Sequence, residues 1–195
     1  MKRRGVGIMY CMIIYGMPCS GKSTIAKLYS KLYGCEYISS GDIARKMAED
    51  DADVFMALQN GVFAPEKRMR DAIADRISLC TLNKTSFILD GFPRFDDQDR
   101  FLNTILAICD VRKIYVLVDV DKETCIKRAS NRNRFDDKAI EDRIDYFNES
   151  TLPVFKAHQP VIIENRHGAD NNDIVDLLHA YITLRTHRDI IVNSL

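Results

Sequence analysis

The sequence predicts an α/β fold built on a parallel sheet with both faces covered. Three observations carry this. Five short apolar runs alternate with stretches of helical periodicity. Those runs are too uniformly apolar to leave a solvent face, which is the pattern of strands buried on both sides. The first of them leads directly into "GMPCSGKST" (16–24), a glycine-bearing loop between a strand and a helix.

Each element follows from local pattern. The first strand occupies residues 8–15. Ile25, Leu28, Tyr29 and Leu32 then fall at i, i+3, i+4 and i+7, marking a helix that Gly34 closes. "EYISS" (36–40) is a short strand, and "SGDIARKMAED" (40–50) is a helix with Ser40 as its cap. "NGVFAPE" (60–66) is a turn, and Pro65 suits the first turn of a helix running to about Cys80. "SFILDGFP" (86–93) is a buried strand ending in Asp-Gly, with a polar helix over 96–108. "KIYVLVDV" (113–120) is another strand, followed by the helix "KETCIKRAS". Residues 139–155 read helical, with Pro153 bending or ending them. "PVIIE" (160–164) is the last strand, and 171–184 form a closing helix. Ligands of such sheets bind at the strands' C-terminal ends. Gly16–Ser23, Ser40–Arg45, Asp90–Arg94 and the segment after Asp119 all begin there.

A length of 195 residues fits one domain spanning 1–195. The 28 lysines and arginines balance 28 acidic residues, so no global field points to nucleic acid or a membrane surface, and neither is an expected partner. None of the six cysteines forms a CxxC pair, so no zinc site is expected. Cys11, Cys80, Cys109 and Cys125 sit in apolar surroundings and read as small core residues. Free thiols of this kind fit a reducing, cytoplasmic setting. Lys2, Arg3 and Arg4 resemble the start of a signal segment, but the apolar run behind them is needed as the first strand. The first six or so residues read as a frayed extension.

The loop fits G-x-x-x-x-G-K-[ST], with Gly16, Gly21, Lys22 and Ser23 in the fixed places. Glycines let backbone N–H groups approach phosphate oxygens, Lys22 reaches the β- and γ-phosphates, and the Ser23 hydroxyl can ligate Mg²⁺. The following helix turns its positive end toward the same anion. The fold class narrows accordingly to a three-layer P-loop NTPase fold with a five-stranded parallel sheet. Asp90, at the end of a buried strand, reads either as a strand-terminal cap or as the carboxylate that holds Mg²⁺ or its waters opposite Ser23. Arg45, Arg94, Arg128, Arg132 and Arg134 stand just after strand ends or in short loops, and Arg143 follows on the next helix. Singly, each reads as part of a solvated face. Together they suit a ring of guanidinium groups around transferring phosphates.

At this point "GMPCSGKST", "SSGDIAR", "GVFAPE", "DGFPRFDDQ", "DVDKETCIKRASNR" and "RFDD…R" ending at Arg143 resemble, in the same order, the adenylate kinase family of nucleoside monophosphate kinases. The resemblance covers about residues 8 to 180. It implies transfer of the ATP γ-phosphoryl group to a nucleoside monophosphate, with Mg²⁺ and no covalent intermediate. It also implies a small helical acceptor-binding insertion at about 40–80 and a short lid at about 128–137. On the ATP side it implies Gly16, Met17, Pro18, Cys19, Ser20, Gly21, Lys22, Ser23 and Thr24, with Arg128 stacking on the base and Gly168 meeting it from a late loop. On the acceptor side it implies Ser40, Arg45, Phe63, Gly91, Arg94, Gln98, Arg134 and Arg143. Arg45 and Arg94 clamp the monophosphate, while Arg132, Arg134 and Arg143 close on the moving phosphoryl group.

Gln98 stands where the adenylate kinases read the adenine edge of AMP; read by itself, it sits on the exposed face of helix 96–108. AMP is the first expected acceptor and CMP, UMP or a deoxynucleotide the second. A catalytically weak nucleotide-binding regulator is the reading from another class. The expected state is a monomer. Two departures from the family pattern stand out. Cys19 replaces a usual glycine, and only Asn133 separates Arg132 from Arg134, which makes a very short lid.

Overall fold

A computed structural model describes residues 8–132, 140–165 and 170–192, with the backbone alone for Arg132 and 186–192. Its sheet has five strands: β1 (Tyr10–Tyr15), β2 (Glu36–Ser39), β3 (Phe87–Asp90), β4 (Arg112–Asp119) and β5 (Val161–Glu164). They lie in the order β2-β3-β1-β4-β5, and every pairing is parallel. Parallel neighbours need crossovers, and helices supply them: α1 (Lys22–Tyr33), α2 (Ser40–Asp50), α3 (Ala52–Gln59), α4 (Glu66–Leu82), α5 (Asp96–Ile108) and α6 (Lys122–Arg132). After these come α7 (Ile140–Tyr146), α8 (Leu152–Lys156) and α9 (Asn171–Val192).

The period of two in β1 divides the core. Cys11, Ile13 and Tyr15 face a cluster that takes in Met69, Ile73 and Ile77 of α4 and Leu102 and Leu106 of α5. Met12 and Ile14 face the other way, onto Ile25 and Tyr29 of α1 and Val175, Leu178 and Ile182 of α9. The result is three layers, helices on both sides of one sheet. No helix among the described residues is long and apolar enough to cross a membrane.

Several elements differ from the sequence reading, each for a local reason. Ser39, not Ser40, caps α2: it ends β2 in an extended conformation, and its hydroxyl accepts from the Asp42 N–H at 3.1 Å. α3 falls within the expected helical insertion, but local pattern placed no helix there. Asp51 creates it by accepting from the N–H groups of Asp53 and Val54, and Arg68 of α4 holds the second carboxylate oxygen at 2.8 Å.

Pro153 does not end the helical run between 140 and 156. The helix widens into a π turn over Phe147–Thr151, and Pro153 then falls in the first turn of α8, where a missing N–H leaves no bond unmade. α9 runs eight residues past 184, to Val192. Cys35 is buried along with Cys11, Cys80 and Cys125, while Cys109 is only partly so; none of the six is joined in a disulfide.

Candidate active site

The site is assembled from the C-terminal ends of β1, β2, β3 and β4. β1 delivers the chain into Gly16, whose φ is +156°. A Cβ there would lie 2.4 Å from Ser20 Oγ and 2.6 Å from the Val118 carbonyl oxygen, so only glycine lets the loop turn this tightly. Gly21, at φ +92°, hands over to α1, and a Cβ on it would strike the Asn165 amide at 2.3 Å. Cys19 also has a positive φ, +64°. The backbone therefore keeps the left-handed shape that glycine normally takes, and the thiol-bearing side chain is accommodated against Val120, Cys125 and Ile144.

Two side chains brace the loop from behind. Asn165, just after β5, donates to the Ser20 carbonyl at 2.8 Å. Arg128 of α6 donates to the same carbonyl at 3.2 Å and to that of Cys19 at 3.4 Å. Ser20 is fully buried, and its hydroxyl has no hydrogen-bond partner among the described residues. An orphan buried hydroxyl inside a glycine-framed cradle suits an oxyanion.

Lys22 opens α1 and folds back so that Nζ donates to the Met17 carbonyl at 3.2 Å. Withdrawal from water pushes its pKa down; Asp90 opposes the shift, while Arg143 and Arg94 add to it. Arg94 behaves alike. Loss of solvent and then the charge of Arg143 lower its guanidinium to about 10. Three cations thus stand near enough to repel one another, an arrangement suited to an anion.

Asp90 ends β3 beside β1 and is 3% exposed. Its Oδ2 accepts from the Ser23 hydroxyl at 2.5 Å and from the Tyr37 hydroxyl at 2.6 Å. Ser23 and Asp90 are hard oxygen donors within contact of each other, so the pair fits Mg²⁺, which keeps most of its own waters and substrate oxygens.

Next to this cradle opens a cavity. Ser40, Arg45, Phe63, Gly91, Arg94, Gln98 and Arg143 all line it. Ser40, released from capping, donates to the Gly91 carbonyl at 2.7 Å. Arg94 Nε donates to the same carbonyl at 2.8 Å, and its guanidinium lies 4.4 Å from the Phe63 ring centre. Arg45 pairs with Asp42 at 2.5 Å across one turn of α2. Gln98 is not on an exposed face: it is 4% exposed and turned inward from α5. The Arg132 side chain, Arg134 and Gly168 lie outside the described residues.

Sequence reasoning missed Tyr37 and Asn165. Tyr37 and Asn165 share one available signal, a polar residue in or just after a strand that ends at the site.

Comparison with known proteins agrees with this geometry. A protein family described as an AAA domain matches residues 15–145. The adenylate kinase of Encephalitozoon cuniculi is 30% identical over 165 residues, which cover 80% of this chain and 84% of that protein. The chain belongs to the adenylate kinase family. Within the family, the adenylate kinase of Pseudarthrobacter chlorophenolicus is 32% identical over 154 residues, covering 73% of this chain and 80% of its own length. The adenylate kinase of Prochlorococcus marinus is 26% identical over 172 residues, covering 84% and 91%. The family consists of P-loop nucleoside monophosphate kinases, and the two adjoining cradles of this chain fit that class.

Proposed function

We propose that this chain catalyses the reversible transfer of the γ-phosphoryl group of ATP to AMP, giving two ADP. The observation that carries the reading is the joining of two anion sites through shared cations. Lys22 ends the phosphate loop, Arg94 and Arg143 both line the neighbouring cavity, and the three charges are near enough to act on one another. Membership of the adenylate kinase family supports AMP as the acceptor, and so does the inward-turned Gln98.

In this reading an oxygen of the acceptor phosphate attacks the γ-phosphorus, and the bond to the β–γ bridging oxygen breaks. Charge spreads over the equatorial oxygens, so most of the catalysis is positioning and electrostatics. Lys22 holds the β- and γ-oxygens. Arg94 and Arg45 hold the acceptor phosphate in line, and Arg143 meets the moving group from α7. Ser23 and Asp90 are the residues that would hold Mg²⁺, which when bound neutralises charge on the phosphates. Tyr37 keeps the Asp90 carboxylate in place, and Arg128 with Asn165 keeps the loop in shape. A single domain carries both sites, and we assign it to the cytoplasm as a monomer.

The test is a coupled assay comparing kcat/KM for AMP, CMP, UMP, GMP and dTMP, repeated with Gln98→Ala. AMP should lead in the parent by an order of magnitude or more and lose that lead in the variant, since buried groups built for one base go unpaired with another. A parent that prefers a pyrimidine would refute AMP as the acceptor.

A further inference from the structure

Gln98 is held at both ends. Its Oε1 accepts from the Arg94 backbone N–H at 2.8 Å, and its Nε2 donates to Glu66 Oε2 at 2.6 Å. A backbone N–H can only donate and a carboxylate can only accept, so these partners settle which end of the amide is oxygen. Glu66 is itself anchored: Arg70, one turn later on α4, donates from Nε to its other oxygen. The Arg70 guanidinium lies 5.5 Å from the ring of Phe101, three residues beyond Gln98 on α5. The first turn of α4 and the first turn of α5 are thus tied by a closed set of contacts that has Gln98 at its centre.

We infer that Glu66 is a positioning residue for base selection: it locks the Gln98 amide and so decides which bases the cavity accepts. The inference rests on the cavity being the acceptor site. Glu66 does not line that cavity, and it acts through Gln98. A primary amide has two N–H donors and two acceptor lone pairs, and one of each is consumed by Glu66 and Arg94. One donor and one acceptor remain, in an order the amide cannot reverse while both ends are held. Adenine and cytosine carry an amino donor beside a ring-nitrogen acceptor. Uracil, thymine and guanine carry a carbonyl acceptor beside a ring N–H, the reverse order. With the nucleotide pinned by its phosphate at Arg94, the locked amide favours amino-bearing bases and disfavours their oxo counterparts. Without Glu66 the amino end loses its acceptor and the amide can rotate.

The experiment compares Glu66→Asp, Glu66→Ala and Glu66→Gln with the parent in kcat/KM for AMP, CMP, UMP and GMP. Glu66→Asp keeps a carboxylate in the first turn of α4, which favours that helix end, but is one methylene too short to reach Gln98. In Glu66→Asp and Glu66→Ala the ratio of amino to oxo bases should fall about tenfold, through KM for the monophosphate, with kcat and KM for ATP changed by less than about threefold. Glu66→Gln keeps the reach and an acceptor oxygen, and should hold the ratio within about threefold of the parent. An unchanged ratio in both Asp and Ala variants, or an equal loss in Glu66→Gln, overturns the role of Glu66 and leaves the AMP assignment standing. A parent that prefers CMP, with the variants behaving as expected, overturns AMP as acceptor and supports Glu66. A parent that prefers UMP or GMP overturns both.

Discussion

Lys22 is half-buried, its Nζ donates to the loop carbonyl of Met17, and partial desolvation with the nearby charges of Arg143 and Arg94 works against its own. That position weakens its hold on the proton in the free protein and strengthens its pull on a phosphate. Lys22→Ala should therefore lose about 10²- to 10⁴-fold in turnover, the scale of one preorganised electrostatic group, while far-ultraviolet circular dichroism stays that of the parent. Near-parental turnover in the folded variant would remove the loop from the mechanism. That Lys22, Ser23, Asp90 and Arg94 come together was legible in the sequence because each sits in a contiguous motif at a strand's C-terminal end. Tyr37 was not, since its partner Asp90 lies 53 residues away and a tyrosine in a strand looks like any other core residue. Nor was the tie from Glu66 to Gln98, across 32 positions and between two helices. Cys19 was legible only as an oddity. Its φ of +64° shows that the loop retains the glycine conformation under a side chain, at a cost on the order of 1 kcal/mol.

α9 is attached to α1 through His179, whose ring stacks on Tyr33 with centroids 3.6 Å apart, while Nδ1 meets the Tyr29 hydroxyl at 3.1 Å. Partial burial lowers its pKa below the ordinary 6.5, and Asp176 opposes the shift. The folded chain then stays neutral at His179 at pH values where the unfolded chain takes up a proton. Stability is full above the ordinary value and declines as pH falls from there toward the lowered one. Thermal melts between pH 7 and 5.5 should show the parent losing more stability than His179→Asn, with a difference in slope of less than one proton. Equal slopes would mean that this contact does not resist protonation. Long apolar runs and clean helical periodicity made most elements legible, and α5 matches the expected 96–108. α3 escaped because its single capping carboxylate lies within the acidic run Glu49–Asp53, which has no apolar periodicity. The π turn before Pro153 escaped because a widened helix turn has no sequence period of its own.

The molecule as a whole balances its charges but gathers cations at the C-terminal end of the sheet, so anion binding and folding are linked. ATP with Mg²⁺ at a hundred times its Kd should add about 2.7 kcal/mol to stability, roughly 5–10 °C in Tm for a chain of this size. Lys22→Ala should forfeit most of that shift in a dye-based melt; a full shift in the variant would place ATP elsewhere. The sheet order carries a further consequence, concerning where the fold opens first. β1 is bonded on both sides, to β3 and β4, and it alone launches the phosphate loop. β2, which launches Ser40 and Arg45, is bonded only to β3 at the margin of the sheet. Partial unfolding begins where backbone hydrogen bonds are fewest and most open to solvent. Fraying of β2 with α2 would undo the wall that Ser40 and Arg45 give the cavity, whereas fraying of β5, bonded only to β4 at the opposite margin, would release the Asn165 brace on the phosphate loop, so the two margins govern the two halves of the site separately.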